Sequence, residues 1–79
     1  MNFTICYFGL LAERRGLAEE RVTSSAATPA ALYTELDAAH GLGCVRADLR
    51  AAVDDGFVPW EHPLAGGETV AFLPPMSGG

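Results

Sequence analysis

Thr69-Val70-Ala71-Phe72-Leu73, followed by Pro74-Pro75-Met76-Ser77-Gly78-Gly79, decides how this chain is read. TVAFL has the β-branched and aromatic content of a buried strand. Two prolines then end it, because neither has a backbone N–H to give to a strand ladder. They favour a stiff, extended exit. Ser77, Gly78 and Gly79 have almost nothing to bury. The spacing therefore predicts a strand aimed into a short flexible arm over 74–79, with a folded domain over 1–73. The Gly79 carboxylate would lie at most about 17 Å beyond Pro74, at roughly 3.4 Å per residue.

Working outward, a partner for this last strand is found at the start of the chain. Asn2 to Phe8 alternates Phe3, Ile5 and Tyr7 with Thr4, Cys6 and Phe8. The first set is assigned to the core. Phe8 then lies on the opposite face, covered by the chain itself or offered to a partner. Gly9 to Gly16 turns the chain, and Glu19 to Ser25 reads as a second, more polar strand.

Thr28-Pro29 opens a helix, with Thr28 as N-cap and Pro29 at its first position. Leu32, Leu36 and Ala39 share one face, and Gly41 closes it. Residues 42–48 read as irregular and Leu49 to Val53 as a third strand. Asp54-Asp55-Gly56 has hairpin-turn chemistry, with Phe57-Val58 a short fourth strand. Ala65-Gly66-Gly67-Glu68 makes another turn. The order β-β-α-β-β-β predicts an α+β fold, a mixed sheet with one main helix. If first and last strands pair in the middle, this is a ubiquitin-like β-grasp.

Composition limits the functions. The 79 residues are 49% hydrophobic, enough for one small domain. Net charge is −5 with no basic stripe, so nucleic acid and anionic membrane surfaces are poor partners. No apolar run is long enough to span a membrane, and the expected compartment is the cytoplasm. Lysine is absent, so a second copy offers no lysine amine to Gly79.

The side chains make no catalytic set. Cys6 and Cys44 are too few and too far apart for a zinc site. Each is read as a small apolar or loop residue ahead of a redox or acyl-carrier group. His40 suits a helix C-terminus, and His62 before Pro63 reads as a loop residue. Asp54-Asp55 is a turn before it is a metal site, and Gly66-Gly67 lacks the helix start and lysine of a phosphate loop. No metal and no bound cofactor are expected. Trp60, Phe57, Phe8 and Leu73 are either residual surface or an interface patch on the uncovered face of the sheet. The patch is preferred, because one helix covers only one face.

The tail carries chemistry of its own. A carboxylate is a poor electrophile until it is joined to AMP as a mixed anhydride, when a sulfur nucleophile can attack it. Its end must therefore reach a nucleotide in another protein through a narrow channel. Glycine leaves that channel unobstructed. Pro74 and Pro75 limit the freedom lost on insertion.

With these residues assembled, the chain resembles the small subunit of molybdopterin synthase, the MoaD-type sulfur carriers of the MoaD/ThiS group. The resemblance rests on His62-Pro63-Leu64, Gly67-Glu68, Val70-Ala71-Phe72, Pro74-Pro75 and Gly78-Gly79, with Phe8, Glu13 and Gly16 near the start. Two positions depart from the pattern: Ala12 stands where an arginine is usual, and Val53-Asp54 replaces a Val-Asn turn.

The resemblance implies that an E1-like adenylyltransferase uses ATP to adenylate Gly79. A sulfurtransferase then supplies sulfur for a thiocarboxylate. The tail enters a large catalytic subunit and gives its sulfur to cyclic pyranopterin monophosphate. It implies a heterotetramer of two small and two large subunits. Gly78, Ser77, Pro75, Pro74, Leu73, Phe8 and Phe57 are the candidate binding residues around the reacting Gly79. Other readings are a ThiS-like carrier for thiamin, cysteine or tRNA thiolation, a ubiquitin-like protein modifier, and a β-grasp interaction module with an idle tail.

Overall fold

The computed structural model describes residues 1–74. Its elements in chain order are β1 (Asn2–Tyr7), α1 (Leu10–Arg15), β2 (Glu19–Thr23), α2 (Pro29–His40), a 3-10 turn (Arg46–Asp48), β3 (Arg50–Val53), β4 (Gly56–Val58) and β5 (Thr69–Leu73). The five strands form one sheet in the order β2-β1-β5-β3-β4. β1 and β5 run parallel in the middle, with Ile5 opposite Val70 and Tyr7 opposite Phe72. The other pairs are antiparallel. This is the predicted β-grasp.

Alternation decides which face is dry. Phe3, Ile5 and Tyr7 of β1 and Val70 and Phe72 of β5 are buried. They meet Leu32, Tyr33 and Leu36 of α2, with Leu11, Leu42, Leu49 and Leu64 closing the margins. A fully buried Phe or Leu contributes roughly 1.5–3 kcal/mol over an exposed one.

Local chemistry places α2. The Thr28 hydroxyl accepts the Ala31 N–H at 3.2 Å, and Gly41 takes the left-handed conformation at the other end. Leu42 then turns back into the core. Ala39, expected on the apolar face, is exposed, and Tyr33 fills the core instead. The Tyr33 hydroxyl avoids an unpaired burial by donating to the Cys44 carbonyl at 2.6 Å.

The largest difference from the sequence reading is α1, in a stretch expected to be a simple turn. Six residues are too short to show a helical period. Tertiary contacts hold it: Leu11 is buried, Gly16 caps it in the left-handed conformation, and the Arg14 Nη1 donates to the Leu42 carbonyl at 2.7 Å. Arg15 donates twice to Glu20, at 2.7 and 2.9 Å, and Tyr7 Oη donates to the same carboxylate at 2.6 Å. Among the described residues no helix is long and apolar enough to cross a membrane.

Candidate docking face and tail root

Among the described residues, no helix covers the second face of the sheet. Its residues follow from strand register. Cys6 of β1 lies opposite Ala71 of β5, which lies opposite Ala52 of β3, which lies opposite Phe57 of β4. One row further along, Leu73 of β5 lies opposite Arg50 of β3. Phe8 follows β1 in the same alternation as Cys6. The floor is thus made of small residues; Phe8 and Leu73 lie at the end where β5 leaves the sheet, and Phe57 lies on the edge strand in the row of Ala71. Phe8 is 47% exposed and Phe57 58%, which is unusual for phenylalanine in so small a domain.

The root of the tail is built by close packing. Gly9 follows β1 with φ 55° and ψ −128°. An added Cβ there would lie 3.2 Å from Cγ of Pro74. Glycine is therefore required twice, for the backbone angle and for the proline ring beside it. Gly9 lets α1 begin immediately after β1 without pushing against the exit of β5.

The turns that carry β5 are similarly specified. The Glu68 carboxylate accepts the Ala65 N–H at 2.8 Å and the Gly66 N–H at 2.6 Å, just before β5 starts. The Ala65 N–H, followed by that of Gly66, holds the Glu68 carboxyl below its usual range. At the same end of β5, Asp54 N–H donates to the Thr69 carbonyl at 2.9 Å and Thr69 N–H to Asp54 Oδ1 at 3.0 Å. Leu64 is buried, and its N–H donates to the Ala27 carbonyl at 2.8 Å. The His62-Pro63-Leu64 run thereby ties the crossing between β4 and β5 to the entry of α2.

Of the candidates from sequence, Phe8, Phe57 and Leu73 share the open face, spread across β1 to β4, and Pro74 follows at the end of β5. Pro75, Ser77, Gly78 and Gly79 lie outside the described residues. Trp60, grouped with the patch by sequence, belongs to the other side. It stacks on Phe72 at 6.0 Å and meets Tyr33 edge-on at 6.1 Å. Cys6 lies in the floor, but burial, and then the Glu19 carboxylate beside it, push its thiol above the ordinary value. It is protonated at neutral pH and is a weak nucleophile there.

Sequence reasoning missed Arg50. Its Cζ sits 3.9 Å from the centroid of the Phe57 ring, a cation–π contact on the docking face. The signal was available. A two-residue turn at Asp54-Asp55 forces Ala52 opposite Phe57 and puts Arg50 on the same face.

Comparison with known proteins places this geometry. Residues 5–79 match the ThiS family. The molybdopterin synthase sulfur carrier subunit of Escherichia coli is 52% identical over 31 residues, or 39% of this chain and 38% of that protein. That matched stretch spans well under half of either. SAMP1 of Haloferax volcanii, a small archaeal modifier protein, superposes with a TM-score of 0.81 at 24% identity, covering 100% of both chains. A chain of the complex of subunits 1 and 2 of molybdopterin-converting factor from Helicobacter pylori gives 0.69 at 22% identity, again over 100% of both. The structural likenesses establish the shared β-grasp, and the family match covers nearly the whole sequence: this chain belongs to the ThiS/MoaD family of ubiquitin-like sulfur carriers.

Proposed function

We propose that this chain is the sulfur-carrying small subunit of a molybdopterin synthase. The observation that carries the reading is that Phe8, Leu73 and Phe57 all fall on the open face of the sheet, with Leu73 immediately before Pro74. An apolar face beside the exit of a narrow tail fits a partner that binds the domain and admits the tail in one event. The identity to the Escherichia coli sulfur carrier supports the choice of pathway.

The chemistry balances as follows. The Gly79 carboxylate attacks the α-phosphate of ATP on an E1-like enzyme, giving an acyl adenylate and pyrophosphate. The terminal sulfur of a persulfide on a sulfurtransferase attacks the acyl carbon and expels AMP. A second thiol then cleaves the acyl disulfide, releasing the thiocarboxylate and leaving a disulfide behind. The resulting thiocarboxylate enters the large subunit, gives its sulfur to cyclic pyranopterin monophosphate, and returns to a carboxylate with water supplying the oxygen. The chain's own residues orient and stiffen the arm, while the partners supply catalytic groups.

The test is intact-mass analysis after incubation with ATP, the activating enzyme and a sulfur source. Replacement of one oxygen by sulfur, located at Gly79, is the expected result. Removal of Gly78-Gly79 should abolish cofactor synthesis; a shortened chain that still supports it would sink the proposal. A carrier for another acceptor, such as a thiamin precursor, is the second reading, supported by the ThiS family match over residues 5–79. The large subunit that co-purifies separates the two.

A further inference from the structure

We infer that Arg50 is a partner-recognition residue that reads a carboxylate on the large subunit beside the entrance for the tail. The inference rests on the proposed docking face and adds a charge to it. Arg50 is exposed, pairs in register with Leu73 at the tail root, and holds its Cζ 3.9 Å from the centroid of the Phe57 ring.

The five arginines divide by what they already hold. Arg15 is spent on Glu20, and Arg14 on the Leu42 carbonyl. Arg46 lies 5.7 Å from the Trp60 ring, on the side of the sheet away from the docking face. Arg21 lies opposite Thr4, at the far end of the open face from Leu73. Arg50 alone combines a place beside the tail root with a cation–π contact on the open face. Among the described residues it has no carboxylate within ion-pair distance.

Charge complementarity specifies the occupant. The contact with Phe57 already restrains the Arg50 side chain, so less freedom is lost when its N–H groups bind. Docking Phe57 into an apolar pocket removes water from Arg50 as well. A desolvated guanidinium needs an acceptor, and a planar carboxylate accepts two of its N–H groups side by side. The body of the chain carries a net charge of −5, so long-range attraction favours a basic partner. One Asp or Glu facing Arg50 within such a surface would fix orientation and reject partners that offer only positive charge.

The full-length chain is titrated against the purified large subunit, with Arg50→Gln, Arg50→Glu and Arg50→Lys beside the wild type. All four should melt at the same temperature, because the side chain is exposed. Arg50→Gln should weaken binding about ten- to a hundredfold and Arg50→Glu further, with Arg50→Lys recovering only part of the loss, because an ammonium keeps the charge but not the two parallel N–H groups. Wild-type affinity in all three variants overturns the inference and leaves the docking face standing. Failure of the wild type to bind overturns the proposed function, and this assignment with it.

Discussion

At the scale of single residues, Gly9 shows how a backbone requirement becomes a functional one. Its φ of 55° and ψ of −128° belong to a region that side chains avoid. Its missing Cβ leaves room for the ring of Pro74 at 3.2 Å. Gly9→Ala should therefore cost about 1–3 kcal/mol of stability, the usual range for a side chain forced into such angles. The displaced proline root should also weaken tail insertion beyond what the stability loss explains. Urea unfolding gives the first quantity, and titration with the large subunit at a temperature where the variant is fully folded gives the second. Equal affinity under those conditions would show that the root tolerates displacement.

At the scale of elements, the β3–β4 hairpin is held by a turn whose residues fit it imperfectly. Asp54 and Asp55 both have positive φ, 48° and 74°. Such two-residue turns prefer Asn-Gly, because glycine takes these angles without a Cβ penalty. Asp54 has compensation in the hydrogen bond from Thr69 N–H to its side chain. Asp55 has no such bond among the described residues. Asp55→Gly should raise stability by about 0.5–1 kcal/mol, read as a higher urea midpoint with unchanged slope. Since this hairpin holds Phe57 and Arg50 in register, partner binding should stay the same. A lower midpoint would mean that the gain in chain entropy of the unfolded state outweighs the relief of strain.

The same elements show what was legible from sequence. Strand identities and the central β1–β5 pair could be read because alternation with period two is strong in NFTICY and TVAFL. The Thr28-Pro29 start and Gly41 stop of α2 could be read because caps are local chemistry. α1 could not, because its six residues depend on contacts with Leu42 and Glu20, which are distant in sequence. Trp60 was misplaced for the same reason, since it is drawn to Phe72 and Tyr33 across the fold. Phe8 was legible as an exposed aromatic from parity, and Phe57 only as a large apolar residue left over from the helix-facing core. The contact of Arg50 with Phe57 required the hairpin register as well.

At the scale of the whole molecule, acidity and stability are linked through two carboxylates. Hydrogen bonds from Arg15 hold the Glu20 carboxyl below its ordinary value of 4.5; burial opposes this, and the Tyr7 hydroxyl adds to it. Glu68 is lowered by the Ala65 and Gly66 N–H groups. Each therefore binds a proton less readily folded than unfolded. Their contribution is complete above about pH 4.5 and disappears as pH falls through the lowered folded values. Glu68 is the more open to solvent, so its share is smaller. Tyr7 sets the opposite limb: burial, and then Glu20, push its hydroxyl above the ordinary value of 10. The stability favoured by its neutral form is present below pH 10 and is lost as pH rises through the raised value.

The stability of this domain should thus be nearly level from pH 7 to 5 and decline below 4.5. The isoelectric point near 4.7 falls close to that edge. Precipitation there must be separated from unfolding by working at low concentration. Glu20→Gln should lower stability at pH 7, because Arg15 and Tyr7 lose a charged acceptor, by an amount that solvent screening around Arg15 keeps modest. It should also flatten the acid limb. Urea midpoints for both proteins at pH 7, 5, 4 and 3 make the comparison. If the variant declines as steeply as the wild type, the acid sensitivity belongs to other carboxylates and the Arg15–Glu20–Tyr7 cluster is not its source. A flattened limb would identify that cluster, which anchors α1 to β2, as the point where acid first loosens the fold.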